Sequence, residues 1–67
     1  MKDLKISLAA ARVNANLTQD EVAKELKVSN KTVGNWESGK TIPNSATIYY
    51  LSILYKIPKD NIDIYQH

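Results

Sequence analysis

The chain has 67 residues, a length that fits one domain, and hydrophobic residues make up 43% of it. A domain of this size buries only about 60% of the surface of its unfolded chain, so a deep substrate pocket is hard to form. We therefore expect a single domain over residues 1–67 and no enzymatic activity. The absence of cysteine excludes disulfides and thiolate metal sites and is typical of a reducing, intracellular compartment.

The net charge and the hydropathy pattern limit the cellular location and the classes of partner to be expected. The formal net charge of +2 permits a nucleic-acid partner, but it is weak evidence because the lysines are scattered. The apolar run from Ile6 to Ala11 ends at Arg12, short of the roughly 7–15 apolar residues of a signal peptide. No stretch approaches the roughly 20 apolar residues of a membrane span. We expect a cytoplasmic protein without a membrane partner.

Two helices are predicted in the first part of the chain. An apolar stripe at helical spacing predicts helix 1 over about residues 3–14, formed by Leu4, Leu8, Ala11 and Ala15. Thr18 and Glu21 have the spacing of a capping box, in which each side chain bonds the other residue's backbone amide. The box predicts helix 2 over Gln19–Leu26, with its apolar face formed by Val22, Ala23 and Leu26.

A very short turn separates helix 2 from the next helix. Ser29 is a suitable cap only three residues after Leu26, so Lys27 to Ser29 form the turn. Helix 3 is predicted from Asn30 to Glu37 or Ser38, followed by Gly39 as a left-handed C-terminal cap.

The rest of the chain predicts two more helices. Pro43 prevents helix 3 from continuing, and helix 4 should span Ser45 to Tyr55, with Ile48, Leu51 and Tyr55 facing the core. Pro58 is expected to open a short fifth helix over "KDNIDI". The alternation typical of β-strands is absent, so the predicted fold is all-α, with five short helices in one compact domain.

The outer face of helix 3 has an unusual composition for a surface helix. Val33 and Trp36 share the inner side, whereas the outer side and the N-terminus present Asn30, Lys31, Gly34 and Asn35. A glycine within a helix costs about 1 kcal/mol relative to alanine, and asparagine is a poor helix former. A solvated polar face is the simple alternative, but helix stability alone does not explain these residues.

Two helices joined by so short a turn, the second with a polar outer face, are typical of a helix-turn-helix over about residues 19–38. In that motif the second helix enters the major groove of DNA, where asparagine pairs with adenine and lysine with guanine. Gly34 would allow the helix backbone to approach the groove closely. Gln19, at the positive end of helix 2, suits a phosphate oxygen, and Lys40 could add a phosphate contact.

The segment "LTQDEVAKELKVSNKTVGNWESGK" resembles the helix-turn-helix of the lambda repressor and Cro family, also called the xenobiotic-response-element family. The similarity extends over nearly the whole chain. It implies a DNA-binding transcription regulator in which Asn30, Lys31 and Asn35 read bases and Gln19 clamps a phosphate. It also implies that Arg12 and Glu37 form a structural salt bridge, not an acid–base or binding pair.

The sequence departs from the family pattern at Lys27, where the family usually has glycine. A left-handed Lys27 would cost roughly 1 kcal/mol, although its charge could lie near DNA and contact phosphate. Trp36 is expected in the core and not as a stacking platform. His67, the last residue, has no neighbouring cluster of ligands, so no metal or other cofactor is expected.

Helix 4 carries more apolar residues than one buried face requires. They predict a patch for self-association or for a protein partner, formed by Tyr49, Tyr50, Ile53, Ile64 and Tyr65, with Ile62 as a further candidate. The alternative is that the fifth helix and the C-terminal tail cover these side chains. Because the family commonly binds two-fold operators as dimers, we expect a homodimer.

The resemblance favours a nucleoid-associated repressor of the Cro type, from a phage or its host, that consists of this domain alone. The second hypothesis is an antitoxin-type module that uses the same fold, grips a protein partner through the helix 4 patch and binds DNA secondarily. Homodimer contact through the patch would favour the regulator, and a monomer with the patch open would favour a missing partner.

Overall fold

The computed structural model describes residues 5–64. In chain order its elements are β1 (Ile6–Ser7), α1 (Leu8–Asn14), α2 (Gln19–Leu26), α3 (Asn30–Ser38), α4 (Ser45–Tyr55), a 3₁₀ turn (Lys59–Asn61) and β2 (Ile62–Asp63). The predicted bounds of α2, α3 and α4 are confirmed. The described part of the chain is therefore mostly helical, with four α-helices, and "all-α" is an approximate description.

The start of the first helix was predicted too early. Ser7 has an extended backbone, and its side chain accepts a hydrogen bond from the amide of Ala10, so that α1 begins at Leu8. Ile6 pairs with Ile62, and Ser7 pairs with Asp63, as two parallel strands. The hydrophobic spacing indicated a helix, but backbone pairing with a distant part of the chain holds residues 6 and 7 extended.

The predicted fifth helix is also wrong. After Pro58 the chain makes one 3₁₀ turn of three residues and then extends into β2. Forming the first turn of an α-helix is unfavourable, and a six-residue segment offers few hydrogen bonds in return. The pairing of Ile62 with Ile6 provides backbone hydrogen bonds instead, so the expected absence of strands does not hold.

The turn after α2 has the left-handed geometry considered for Lys27, which has φ 58° and ψ 43°. The next amide, that of Val28, donates to the carbonyl of Ala23 at 3.0 Å, which satisfies a carbonyl at the end of the helix. Ser29 then caps α3 by accepting from the amide of Thr32, and Gly39 ends α3 with φ 82°. The turn and the cap at Ser29 set the orientation of α3 relative to α2, and Gly39 sets where α3 ends.

The core lies where the four helices and β2 meet. Its buried hydrophobic residues are Leu8, Ala11, Val22, Ala23, Val33, Leu51, Tyr55 and Ile62. Leu26, Ala15 and Trp36, which were predicted to face inward, are partly buried against this cluster. Ile48 is half buried. The apolar spacing thus identified most of the core, and the C-terminal contribution of Ile62 was not foreseen.

Candidate nucleic-acid interface

The outer face of α3 is held outward by two anchors on its inner face. Val33 is 1% exposed within the core, and Trp36 packs against the same cluster. On the opposite side Asn30 and Lys31 are exposed, and Asn35 is half buried. Because Asn30 and Lys31 are exposed, their polar groups can reach a ligand alongside the helix.

Asn30 is linked to a residue that the sequence did not single out. Its amide nitrogen Nδ2 donates a hydrogen bond to Oδ1 of Asp20, with a distance of 2.5 Å. Asp20 lies in the first turn of α2 and Asn30 is the first residue of α3, so the short turn brings the two helix starts together. Only the packing of α2 on α3 reveals this pair, because spacing along the chain gives no signal for it.

Gln19 joins the same face to an ion pair below it. Its side-chain nitrogen Nε2 donates to Oε1 of Glu37 at 2.9 Å. The other oxygen of Glu37 accepts from Nε of Arg12 at 2.7 Å. The position expected to clamp a phosphate is therefore tied to the end of α3. One proton of its amide group remains available for another acceptor.

The ion pair expected between Arg12 and Glu37 is present and largely shielded from solvent, the two side chains being 16% and 8% exposed. Arg12 also donates from Nη1 to the carbonyl of Leu17 at 2.9 Å, so it ties α1 to the loop before α2 as well as to α3. The hydrogen bond to Glu37 raises the pKa of Arg12 above its usual value. With both partners satisfied in this way, the pair holds three helices in place.

Gly34 is half buried on α3 and faces the start of α2. A Cβ added at this position would lie 3.9 Å from Nε2 of Gln19, an ordinary van der Waals distance, and would meet nothing closer. The fold itself therefore has room for alanine at this position. Packing among residues 5–64 does not require the glycine, which leaves the approach of a ligand as a reason for it.

The two other predicted phosphate ligands, Lys27 and Lys40, are both exposed. Lys27 ends α2 just before α3 begins, and Lys40 follows Gly39 at the other end of α3. The two ammonium groups therefore flank α3, as expected for contacts that position a helix along a charged backbone.

The apolar patch predicted on α4 is only partly as expected. Tyr49 and Ile53 are 60% and 57% exposed, and Tyr50 is 40% exposed. Ile62 is buried in the core, so its inclusion in the patch was wrong. Ile64 is partly buried against the core, which limits what it can offer to a partner. Tyr65 lies outside the described residues.

Tyr50 has a polar partner within the chain. Its hydroxyl donates to Oε2 of Glu25 at 2.7 Å, and this hydrogen bond raises the pKa of Tyr50. The bond fastens α4 to α2, so Tyr50 has a structural role that the sequence did not indicate. Tyr49 and Ile53 remain as the exposed apolar residues of the patch.

Within residues 5–64 the structure contains no group of three or more His, Asp or Glu residues placed to hold a metal ion. In the same part of the chain no helix is long and apolar enough to cross a bilayer.

Two short helices joined by a tight left-handed turn, the second carrying a polar outer face, define a helix-turn-helix domain. Comparison with known proteins agrees, because a family model described as "Helix-turn-helix" matches residues 8–62. The chain belongs to this helix-turn-helix family, of the Cro/C1 type.

The chain is also similar in sequence to the HTH-type transcriptional activator BcrR of Enterococcus faecalis. It is 34% identical over 55 residues, which are 82% of this chain and 27% of that protein. The chain thus spans about a quarter of the length of this relative. No solved structure matches the chain.

Proposed function

We propose that the chain binds double-stranded DNA sequence-specifically and regulates transcription, with α3 lying in the major groove. The observation that carries this proposal is the outer face of α3, where Asn30 and Lys31 are exposed while Val33 holds the opposite side in the core. Membership in the helix-turn-helix family supports the same function.

The polar residues of α3 divide the work of base recognition. An asparagine amide can accept from N6 and donate to N7 of adenine, and we assign this chemistry to Asn30 and Asn35. Lys31 can donate to O6 and N7 of guanine. Gly34, between them, leaves room for the backbone of α3 to approach the base edges.

Gln19, Lys27 and Lys40 contact the phosphates. The amide group of Gln19 lies at the N-terminus of α2, where the helix dipole favours an anion, and Glu37 holds its side chain in place. The two lysines act through charge. Such contacts fix the register of the protein on DNA and make binding salt-dependent without selecting a sequence.

The chain acts as a homodimer in this proposal, with Tyr49 and Ile53 of α4 at the contact between the two copies. Two recognition helices related by a two-fold axis would bind half-sites about one helical turn apart. We further propose that binding represses transcription by occupying the promoter, as in the Cro-type regulators that the sequence resembles. The relative in Enterococcus faecalis is named an activator, so a promoter–reporter assay should measure the direction of the effect.

The experiment that tests DNA recognition is selection of bound sites from random duplexes at several salt concentrations. Lys31→Ala should relax the preference at one base pair, whereas Gln19→Ala should weaken binding to all sequences alike. Lys59→Ala is the matched control, because it removes one lysine from the 3₁₀ turn next to α4. Failure of the unchanged chain to enrich any sequence would contradict the proposed function. An equal loss on every sequence for both variants would contradict base reading by Lys31.

The exposure of Tyr49 and Ile53 also supports a second candidate, an antitoxin-type module that grips a protein partner. Sedimentation of the purified chain separates the two possibilities. A dimer that dissociates in the Tyr49→Ser and Ile53→Ser variants supports the regulator. A chain that is monomeric at all concentrations and on DNA supports the interaction module.

A further inference from the structure

The contact between the starts of α2 and α3 suggests a role for an acidic residue at a surface proposed to bind DNA. We propose that Asp20 is a positioning residue for base recognition, which fixes the orientation of the Asn30 side chain before DNA arrives. This inference rests on the proposed function and deepens it. It is carried by the hydrogen bond from Nδ2 of Asn30 to Oδ1 of Asp20.

The chemistry of the amide group explains what this hydrogen bond achieves. A carboxylate only accepts hydrogen bonds, so Asp20 selects the orientation in which the nitrogen of Asn30, and not its oxygen, faces α2. One N–H of the amide is then occupied. The second N–H and the oxygen remain free, and this is the donor–acceptor pair that adenine requires in the major groove.

Pre-organisation of this kind favours the correct base pair in particular. Immobilising a flexible side chain on binding reduces affinity by about two- to tenfold. Asp20 removes this cost only where Asn30 makes its base contact, so the gain is confined to sequences that carry the preferred base. A freely rotating Asn30 would also be able to present its amide in the reversed orientation, which suits other base edges.

The negative charge of Asp20 has the opposite effect on overall affinity. Asp20 is exposed and adjoins Gln19, the residue assigned to a phosphate, so its carboxylate repels the DNA backbone. This repulsion weakens binding to every sequence equally. Asp20 therefore lowers affinity for DNA in general and raises the preference for the correct site. An acidic residue that only stabilised the N-terminus of α2 through the helix dipole would not raise the preference.

Two substitutions separate the hydrogen bond from the charge. Asp20→Asn removes the charge and keeps an oxygen that can accept from Asn30, although its own N–H groups can also donate to Asn30 in the reversed orientation. Asp20→Ala removes both the charge and the hydrogen bond. We expect both variants to bind duplexes that lack the preferred base about two- to fivefold more tightly, as the loss of one exposed charge pair implies. Asp20→Ala should reduce the preference at the Asn30 base pair by about two- to tenfold, and Asp20→Asn should reduce it by less because its oxygen can still accept from Asn30. Asp60→Asn, in the 3₁₀ turn, controls for net charge and should leave that preference unchanged.

The assay is competition binding of the full chain to its selected site and to single-base variants of that site. Asn30→Ala first identifies the base pair that Asn30 reads, and Asp20→Ala should have no further effect on preference in the Asn30→Ala background. The side-chain ¹⁵N relaxation of Asn30 in the free chain should show a rigid amide in the unchanged protein and in Asp20→Asn, and a mobile one in Asp20→Ala.

The inference is overturned if Asp20→Ala keeps the full preference, or if it changes the preference equally with and without Asn30. It is also overturned if Asn30→Ala alters no base preference, or if the amide is equally mobile with and without Asp20. Failure of the proposed function is a separate result. In that case the unchanged chain enriches no duplex at all, whatever the relaxation of the Asn30 amide.

Discussion

The substitution Gly34→Ala should make the domain more stable and its binding to DNA weaker. Alanine is favoured over glycine in the interior of a helix by about 0.5–1 kcal/mol. The new methyl group would lie 3.9 Å from Nε2 of Gln19, so nothing in the fold offsets this gain. For a domain of this size the gain corresponds to a rise in Tm of about 2–8 °C.

The same methyl group should hinder the approach of α3 to the groove. If Lys31 or Asn35 is thereby moved out of reach of its base, one bidentate contact worth about 1–3 kcal/mol is lost. Affinity for the preferred duplex should then fall at least about fivefold. Binding to unrelated duplexes should change little, because it depends on phosphate contacts.

Thermal unfolding followed by circular dichroism measures the first effect, and fluorescence anisotropy with preferred and scrambled duplexes measures the second. Lys56→Gly is the matched control. Lys56 ends α4 with φ 59°, a left-handed conformation that glycine adopts without strain, and so the substitution should stabilise the chain by a similar amount. It adds no atom to α3 and should leave DNA affinity unchanged.

Two results would refute this reasoning at different points. A less stable Gly34→Ala variant would mean that the fold has no room for the methyl group after all. A more stable variant with undiminished affinity for DNA would mean that α3 can bind with a side chain at this position. The approach of the helix to the groove would then not explain the glycine.

Three further predictions concern stability. Lys27→Gly should remove the strain of the left-handed backbone at this position and so stabilise the chain by about 1 kcal/mol in urea unfolding. It should also reduce the slope of log affinity against log salt concentration for DNA binding by about one unit. Arg12→Met should lower the free energy of unfolding by about 3 kcal/mol, because it leaves the nearly buried Glu37 carboxylate without its cation. The double variant Arg12→Met/Glu37→Leu should recover most of that loss in urea unfolding. A double variant as unstable as the single one would contradict this. Burial raises the pKa of Tyr55 to about 12, so the folded state keeps this proton between pH 10 and pH 12 whereas the unfolded state loses it. Stability should therefore fall by about 2–3 kcal/mol as pH rises through this window, and Tyr55→Phe should show a smaller fall in parallel urea titrations.

Local signals predicted the central part of the fold. The Thr18–Glu21 capping box fixes the start of α2, and Ser29 and Gly39 fix both ends of α3. Each of these interactions joins residues a few positions apart, so its geometry depends on short-range spacing. The same holds for the division of α3 into an inner face with Val33 and an outer face with Lys31, because helical periodicity sets it.

The ends of the described chain could not be predicted in this way. Ile6 pairs with Ile62 across nearly the whole length of the domain, and no short-range pattern marks either residue as a strand. This pairing shortened α1, replaced the fifth helix by a 3₁₀ turn and a strand, and buried Ile62. At each end of the chain, the local tendency to form a helix competes with long-range backbone pairing. Which of the two prevails depends on the segments that the rest of the fold places nearby.

The candidate site shows the same division. The sequence by itself determined which side chains lie on the outer face of α3, because helix caps and apolar periodicity are local properties of the chain. Only the tertiary structure decided which groups those side chains meet: Asp20 beside Asn30, Glu37 beside Gln19, and Glu25 beside Tyr50. Such contacts join different helices, and they form only once burial of the shared apolar core has set how those helices cross.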